Sequence, residues 1–117
     1  MKLKQVGFFK ELRHGAPDGP SLRESASSEP CNDEALLAYL SSGELYIASP
    51  GTVKDVLSDS GEVIGTASLL TDGEWVWPQD LAYYKRTYNV PLPDMFLAHI
   101  AENNWEIPTV NLNELEL

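Results

Sequence analysis

Leu69-Leu70-Thr71-Asp72-Gly73-Glu74-Trp75-Val76-Trp77-Pro78, running on into Gln79-Asp80-Leu81-Ala82-Tyr83-Tyr84, is the most distinctive stretch of the chain. Asp-Gly readily supplies the positive φ of a tight hairpin turn, so Thr71-Asp72-Gly73 is expected to join two strands. Before it, Val63, Ala67 and Leu69 alternate over 62–70. After it, Glu74 to Trp77 form a short strand with Trp75 and Trp77 on one face and Val76 on the other, because side chains alternate across a strand. Both tryptophans are expected in the core. Pro78 ends that strand and suits the first position of a helix, where its missing N–H costs nothing. Asp80 then lies in the first turn and Lys85 and Arg86 near the far end, matching the helix dipole. Leu81, Tyr84 and Tyr88 share one face, and Asn89 is the expected C-cap.

Upstream, Leu45 and Ile47 alternate with Glu44 and Tyr46, Val53 to Leu57 suggests a further strand, and Pro50-Gly51 and Asp59-Ser60-Gly61 mark turns. Successive short strands joined by short turns predict an antiparallel meander. A helix is expected over 33–42, with Asn32 as N-cap, Leu36, Leu37, Tyr39 and Leu40 inward, and Gly43 as its left-handed stop. Arg13 to Asn32 reads as a loop in which Ser21-Leu22-Arg23-Glu24 has the form of a capping box. Residues 3–9 fit a strand or the start of a helix. Downstream, a helix over about 94–103 turns Phe96, Leu97, Ile100 and Ala101 inward, Trp105 folds back onto the core, and 109–117 alternates like a late edge strand or a frayed end. The expected fold is α+β, a small antiparallel sheet of three to five strands packed with two to three helices, in one domain over 1–117.

The chain has 117 residues, 8 Lys and Arg against 18 Asp and Glu, and a net charge of −10. Residues 1–54 carry six cations and seven acids, whereas residues 55–117 carry two cations, Lys85 and Arg86, and eleven acids. Such a surface repels phosphates, so neither nucleic acid nor an anionic membrane is an expected partner. It attracts a basic protein and speeds encounter with it. The longest apolar run, Ala35 to Leu40, is six residues, far short of the roughly 20 that span a bilayer. No signal-peptide core is legible, and a cytoplasmic location is expected.

Catalytic and metal motifs are weak. The one cysteine, Cys31, precedes a helix N-terminus with no histidine near it in sequence and reads as an inert thiol. It excludes a disulfide framework and a Cys-based zinc site. His14 and His99 have no His or Cys partner at ligand spacing, and His99 precedes Glu102 by one helical turn. The acids near 55–62 and 72–74 lack the twelve-residue EF-hand pattern. No metal and no organic cofactor is expected. The partner-binding candidates are Asp59, Glu62, Asp72, Glu74 and Asp80, placed on turns and helix starts that normally face solvent.

Gly7-Phe-Phe-Lys-Glu-Leu-Arg-His-Gly15, Gly19-Pro-Ser-Leu22, Leu69 to Pro78, Asp80-Leu-Ala-Tyr-Tyr84, Leu92-Pro93 and His99 resemble a group of small bacterial proteins that occur beside toxin modules. These look like immunity proteins of polymorphic-toxin or contact-dependent growth inhibition systems. The resemblance spans residues 7 to 100 and assigns no role to any single residue. It implies a protein that binds a basic, nuclease-type toxin domain and covers its substrate groove with carboxylates. Two other classes compete with it. One is a small enzyme using His14 or His99 with nearby carboxylates, and the other is a structural or adaptor subunit.

Overall fold

The Asp72-Gly73 hairpin forms as its sequence requires. Gly73 takes φ +100°, and Leu69, Leu70 and Thr71 pair with Pro78, Trp77 and Val76 in antiparallel register. The computed structural model describes residues 2–12, 19–27 and 29–116. Its elements are β1 (Lys4–Gln5), α1 (Leu22–Ser25), α2 (Glu34–Ser41), β2 (Glu44–Ile47), β3 (Thr52–Lys54), β4 (Val63–Thr66), β5 (Leu69–Thr71), β6 (Trp75–Pro78), α3 (Leu81–Tyr88) and α4 (Asp94–Glu102), with a short 3-10 turn at Leu112–Glu114. The fold is α+β, as expected.

The sheet is not a simple meander. Four strands run in the order β1-β6-β5-β2, and β3 and β4 form a separate two-stranded sheet. β1 pairs parallel to β6, Lys4 opposite Trp75 and Gln5 opposite Val76, so the sheet is mixed. The strand expected over 62–70 divides into β4 and β5. At the division the Ala67 N–H donates to Gly51 O and the Gln79 N–H to Ser68 O, at 2.9 Å each, so consecutive residues serve different sheets. The tail makes a single parallel bridge, Lys2 with Glu116, instead of a full strand.

The two faces of the hairpin feed two cores. Trp75, Trp77 and Leu70 pack with Tyr39, Leu81, Tyr84, Phe96 and Ile100 from the helices. Val76 and Leu69 pack on the opposite face with Leu3, against Phe8, Tyr46 and Leu115. Trp77 is fully buried, its indole N–H donating to Leu40 O at 2.9 Å and its ring 5.5 Å from Phe96.

Several local expectations shift. α2 is capped by Asp33, whose side chain accepts from the Leu36 N–H, one residue later than the expected Asn32. Gly43 does not terminate α2 by positive φ; a Cβ there would lie 2.8 Å from Trp77 Cζ2, so glycine is required by close packing. Ser21 caps α1 as expected, but the reciprocal carboxylate is Glu11, not Glu24. Glu11 accepts from the Leu22 and Arg23 N–H groups and the Ser21 hydroxyl at 2.8–2.9 Å. Desolvation pushes the Glu11 carboxyl up, but these donors outweigh it and hold it at about 2. Pro78 closes β6 instead of opening α3, which starts at Leu81. Asn89 does cap α3, in the left-handed region at φ 46°.

Candidate functional site

α4 is amphipathic, and this places two different sets of groups on its two sides. Phe96 and Ile100 point into the core, while Met95, Ala98 and Glu102 recur at helical spacing on the exposed side. Ala101, expected inward, is exposed. His99 sits between these sides and reaches the β5–β6 turn.

That turn is organised by Asp72. Its Oδ1 accepts from the Glu74 and Trp75 N–H groups at 3.0 and 2.8 Å, the ordinary role of Asp in a tight turn. Its Oδ2 accepts from the Tyr39 hydroxyl at 2.5 Å and lies 2.9 Å from His99 Nε2. Asn103 Nδ2 donates to Tyr39 Oη at 3.1 Å, and His99 Nδ1 lies 3.3 Å from Glu74 Oε2. Burial, with the adjacent Asp72 carboxylate, pushes the Tyr39 hydroxyl well above its ordinary value. Asp72 is 2% exposed, so this candidate for partner contact is a buried organiser.

Over this network lies a groove of about 270 Å³ lined by Lys4, Glu74, Trp75, Met95, His99 and Glu102. Met95 at its rim is 70% exposed. Beyond the end of α4 the chain enters the left-handed region twice in succession, at Asn104 (φ 56°) and Trp105 (φ 61°). Such a φ is a genuine outlier for a bulky side chain, with a cost on the order of 1–3 kcal/mol. The Trp105 N–H donates to Ile100 O at 3.1 Å, which fixes the bend. The indole does not fold into the core as expected: Trp105 is 41% exposed, beside a hollow lined by Ala38, Tyr39, Ser42, Glu106 and Ile107. Glu74, Asp94, Glu102 and Glu106 are all exposed, Glu74 and Glu102 at the groove and Glu106 at the hollow beside Trp105.

The five acids singled out from sequence do not form one site. Asp59 and Glu62 are exposed on the β3–β4 connection, Glu74 is exposed at the β5–β6 turn, and Asp72 and Asp80 are buried. Asp80 precedes α3 without capping it. Its two carboxylate oxygens have no hydrogen-bond partner among the described residues. Burial raises its carboxyl to about 7. His14 lies outside the described residues. His99 is brought to two carboxylates, a meeting that its spacing to Glu102 did not signal.

A second tyrosine–carboxylate cluster holds the small sheet. Tyr83 and Tyr88 both donate to Asp55 Oδ2 at 2.6 Å, and Tyr84 Oη accepts from the Val56 N–H at 3.1 Å. The Asp55 carboxylate, followed by desolvation, pushes the Tyr83 and Tyr88 hydroxyls up. Among the described residues no group of three or more His, Cys, Asp or Glu is placed to hold a metal ion. Among the same residues no helix is long and apolar enough to cross a membrane. Compared with protein-family models, curated proteins and solved structures, the chain matches none.

Proposed function

We propose that this is a cytoplasmic protein-binding protein of the immunity type, which occupies the substrate groove of a basic, nuclease-type toxin domain. The observation that supports it best is α4 and the turn that follows it, where exposed Met95 lines a groove with Glu74 and Glu102 and exposed Trp105 lines a hollow with Glu106. Exposed apolar anchors with carboxylates beside them, and Lys4 as the one Lys or Arg among the groove's described lining residues, suit a protein interface with a cationic partner. Carboxylates on such a face stand where nucleic-acid phosphates would lie in the toxin. The backbone outlier at Trp105 supports the same reading, since strain of this kind collects at functional positions. The test is a pull-down from the source cell with wild-type protein as bait, beside a Met95→Ala/Trp105→Ala double variant. A basic protein retained by wild type and lost with the variant supports the reading. Retention of the same protein by both removes α4 from the interface, and capture of no basic protein counts against the function itself.

The second reading is an acid–base enzyme. It draws on His99, which lines a groove with Asp72 behind it. It ranks lower because both ring nitrogens face carboxylate oxygens, at 2.9 and 3.3 Å, leaving neither directed at a substrate.

A further inference from the structure

Asp80 is 2% exposed, and neither carboxylate oxygen has a hydrogen-bond partner among the described residues. Buried carboxylates are normally paired, and among the described residues none completes this one. Asp80 lines a cavity of about 260 Å³ with Leu12, Thr52, Val53, Lys54 and Val56 among the described residues. The walls are largely aliphatic. The wall from β3 is anchored, since Tyr84 Oη donates to Lys54 O at 3.3 Å and accepts from the Val56 N–H at 3.1 Å. Lys54 lines the same space, yet no ion pair joins it to Asp80 among the described residues.

We propose that this cavity binds an alkylammonium or alkylguanidinium group, with the cation against the Asp80 carboxylate and its carbon stem along Leu12, Val53 and Val56. A cation supplies the donors that both oxygens lack, and a buried charge costs less when it is paired. The apolar walls select a stem over a bare inorganic ion. The volume is below the roughly 300–1,000 Å³ of drug-sized pockets, which limits the occupant to a single short chain. Such a group comes either from a free amine or from a lysine or arginine side chain of another protein. The net charge of −10 favours approach of either. The site is independent of the α4 face, and its test uses no partner protein.

The experiment titrates the protein at pH 8, where Asp80 is ionised, with n-butylammonium, n-butylguanidinium and the neutral control n-butanol. Backbone amide shifts of Val53, Val56 and Asp80 are followed by NMR. We expect saturable shifts with either cation, with a Kd on the order of 1 mM for so small a ligand, and none with n-butanol. Asp80→Asn, which keeps the side-chain shape, should weaken cation binding at least tenfold (about a factor that one ionic contact supplies). If that variant does not fold, the contrast between cations and n-butanol on wild type decides alone. Nα-acetyl-lysine amide separates the sources: binding as tight as n-butylammonium points to a protein side chain, and exclusion of its backbone points to a free amine. Equal shifts with n-butanol, or unchanged binding in Asp80→Asn, would overturn the proposal. So would binding that appears only in Lys54→Met, because the protein's own lysine would then be the occupant.

Discussion

The Tyr39 hydroxyl donates to Asp72 Oδ2 at 2.5 Å, joining α2 to the β5–β6 turn across 33 positions of sequence. The same oxygen faces His99 of α4, so one carboxylate ties two helices to the central hairpin. A hydrogen bond to a charged group contributes about 1.5–3 kcal/mol. Tyr39→Phe should therefore lower the free energy of unfolding by about that amount. Asp72→Ala should cost more, since it also strips the acceptor from the Glu74 and Trp75 N–H groups. Urea denaturation of both variants and of the double variant checks this; equal losses for the two single variants would contradict it.

Trp77→Ala should destabilise by roughly 3–5 kcal/mol, because it removes a fully buried indole from the aromatic cluster with Phe96 and Tyr39. An unchanged melting temperature would contradict the packing.

Trp105→Gly should be neutral to stabilising by up to about 1 kcal/mol, since glycine adopts the observed φ of 61° without penalty. The same variant should weaken partner binding. The two outcomes are read by thermal melting and by the pull-down.

Asp80 makes stability depend on pH in an unusual direction. Its carboxyl rises from 3.8 to about 7 because of burial, so between those values the folded chain keeps a proton that the unfolded chain has released. Its contribution is full below about pH 4 and is lost as pH rises to about 7. At 1.36 kcal/mol per pH unit the loss is on the order of 4 kcal/mol. Glu11 acts in the opposite sense and in another window, because its lowered carboxyl withdraws stability as pH falls from 4.5 toward 2. Urea midpoints between pH 4.5 and 8 should fall for wild type and stay closer to level for Asp80→Asn. Parallel profiles would show that Asp80 does not titrate in this way.

Association with a basic partner should be steered by exposed acids alone. Reversing Glu74 and Glu102 to Lys should slow association strongly at low salt, with a smaller effect near 150 mM, where the Debye length is about 8 Å. Reversing Asp59 and Glu62, on the other sheet's connection, should change the rate less. Stopped-flow mixing over a salt series checks both. Equal sensitivity at the two places would mean that net charge, not the α4 side, guides encounter.

The parts of the fold that were legible in sequence are those written by neighbours. The Asp72-Gly73 turn, the opposed faces of Trp75 and Val76, and the Asn89 cap all follow from residues within a few positions of one another. What was illegible depends on distant partners. Nothing near Lys4 announces that it will pair parallel with Trp75. Nothing within 62–70 tells that Ala67 and Ser68 will bond to different sheets. The candidate site shows the same divide. A turn position implied that Asp72 would face solvent, but Tyr39 and His99 arrive from elsewhere and enclose it. Asp59 and Glu62 remain exposed as expected, and Glu74 stays exposed although His99 reaches it. Trp105, expected to fold back onto the core, is 41% exposed as the second of two successive left-handed residues beyond the end of α4.

The parallel pairing of β1 with β6 also sets a timetable for synthesis. Leu3 and Val6 are buried in the finished protein, and β1 next to them pairs with β6, which begins at Trp75. A ribosome adding about 5–20 residues per second leaves this first segment without that sheet neighbour for several seconds at least. Throughout that interval Val6 and Phe9, buried in the folded chain, lack the strand that completes their side of the sheet. Thr71, made late in that delay, is the residue that will hold β6 in place from its other side, opposite Val76.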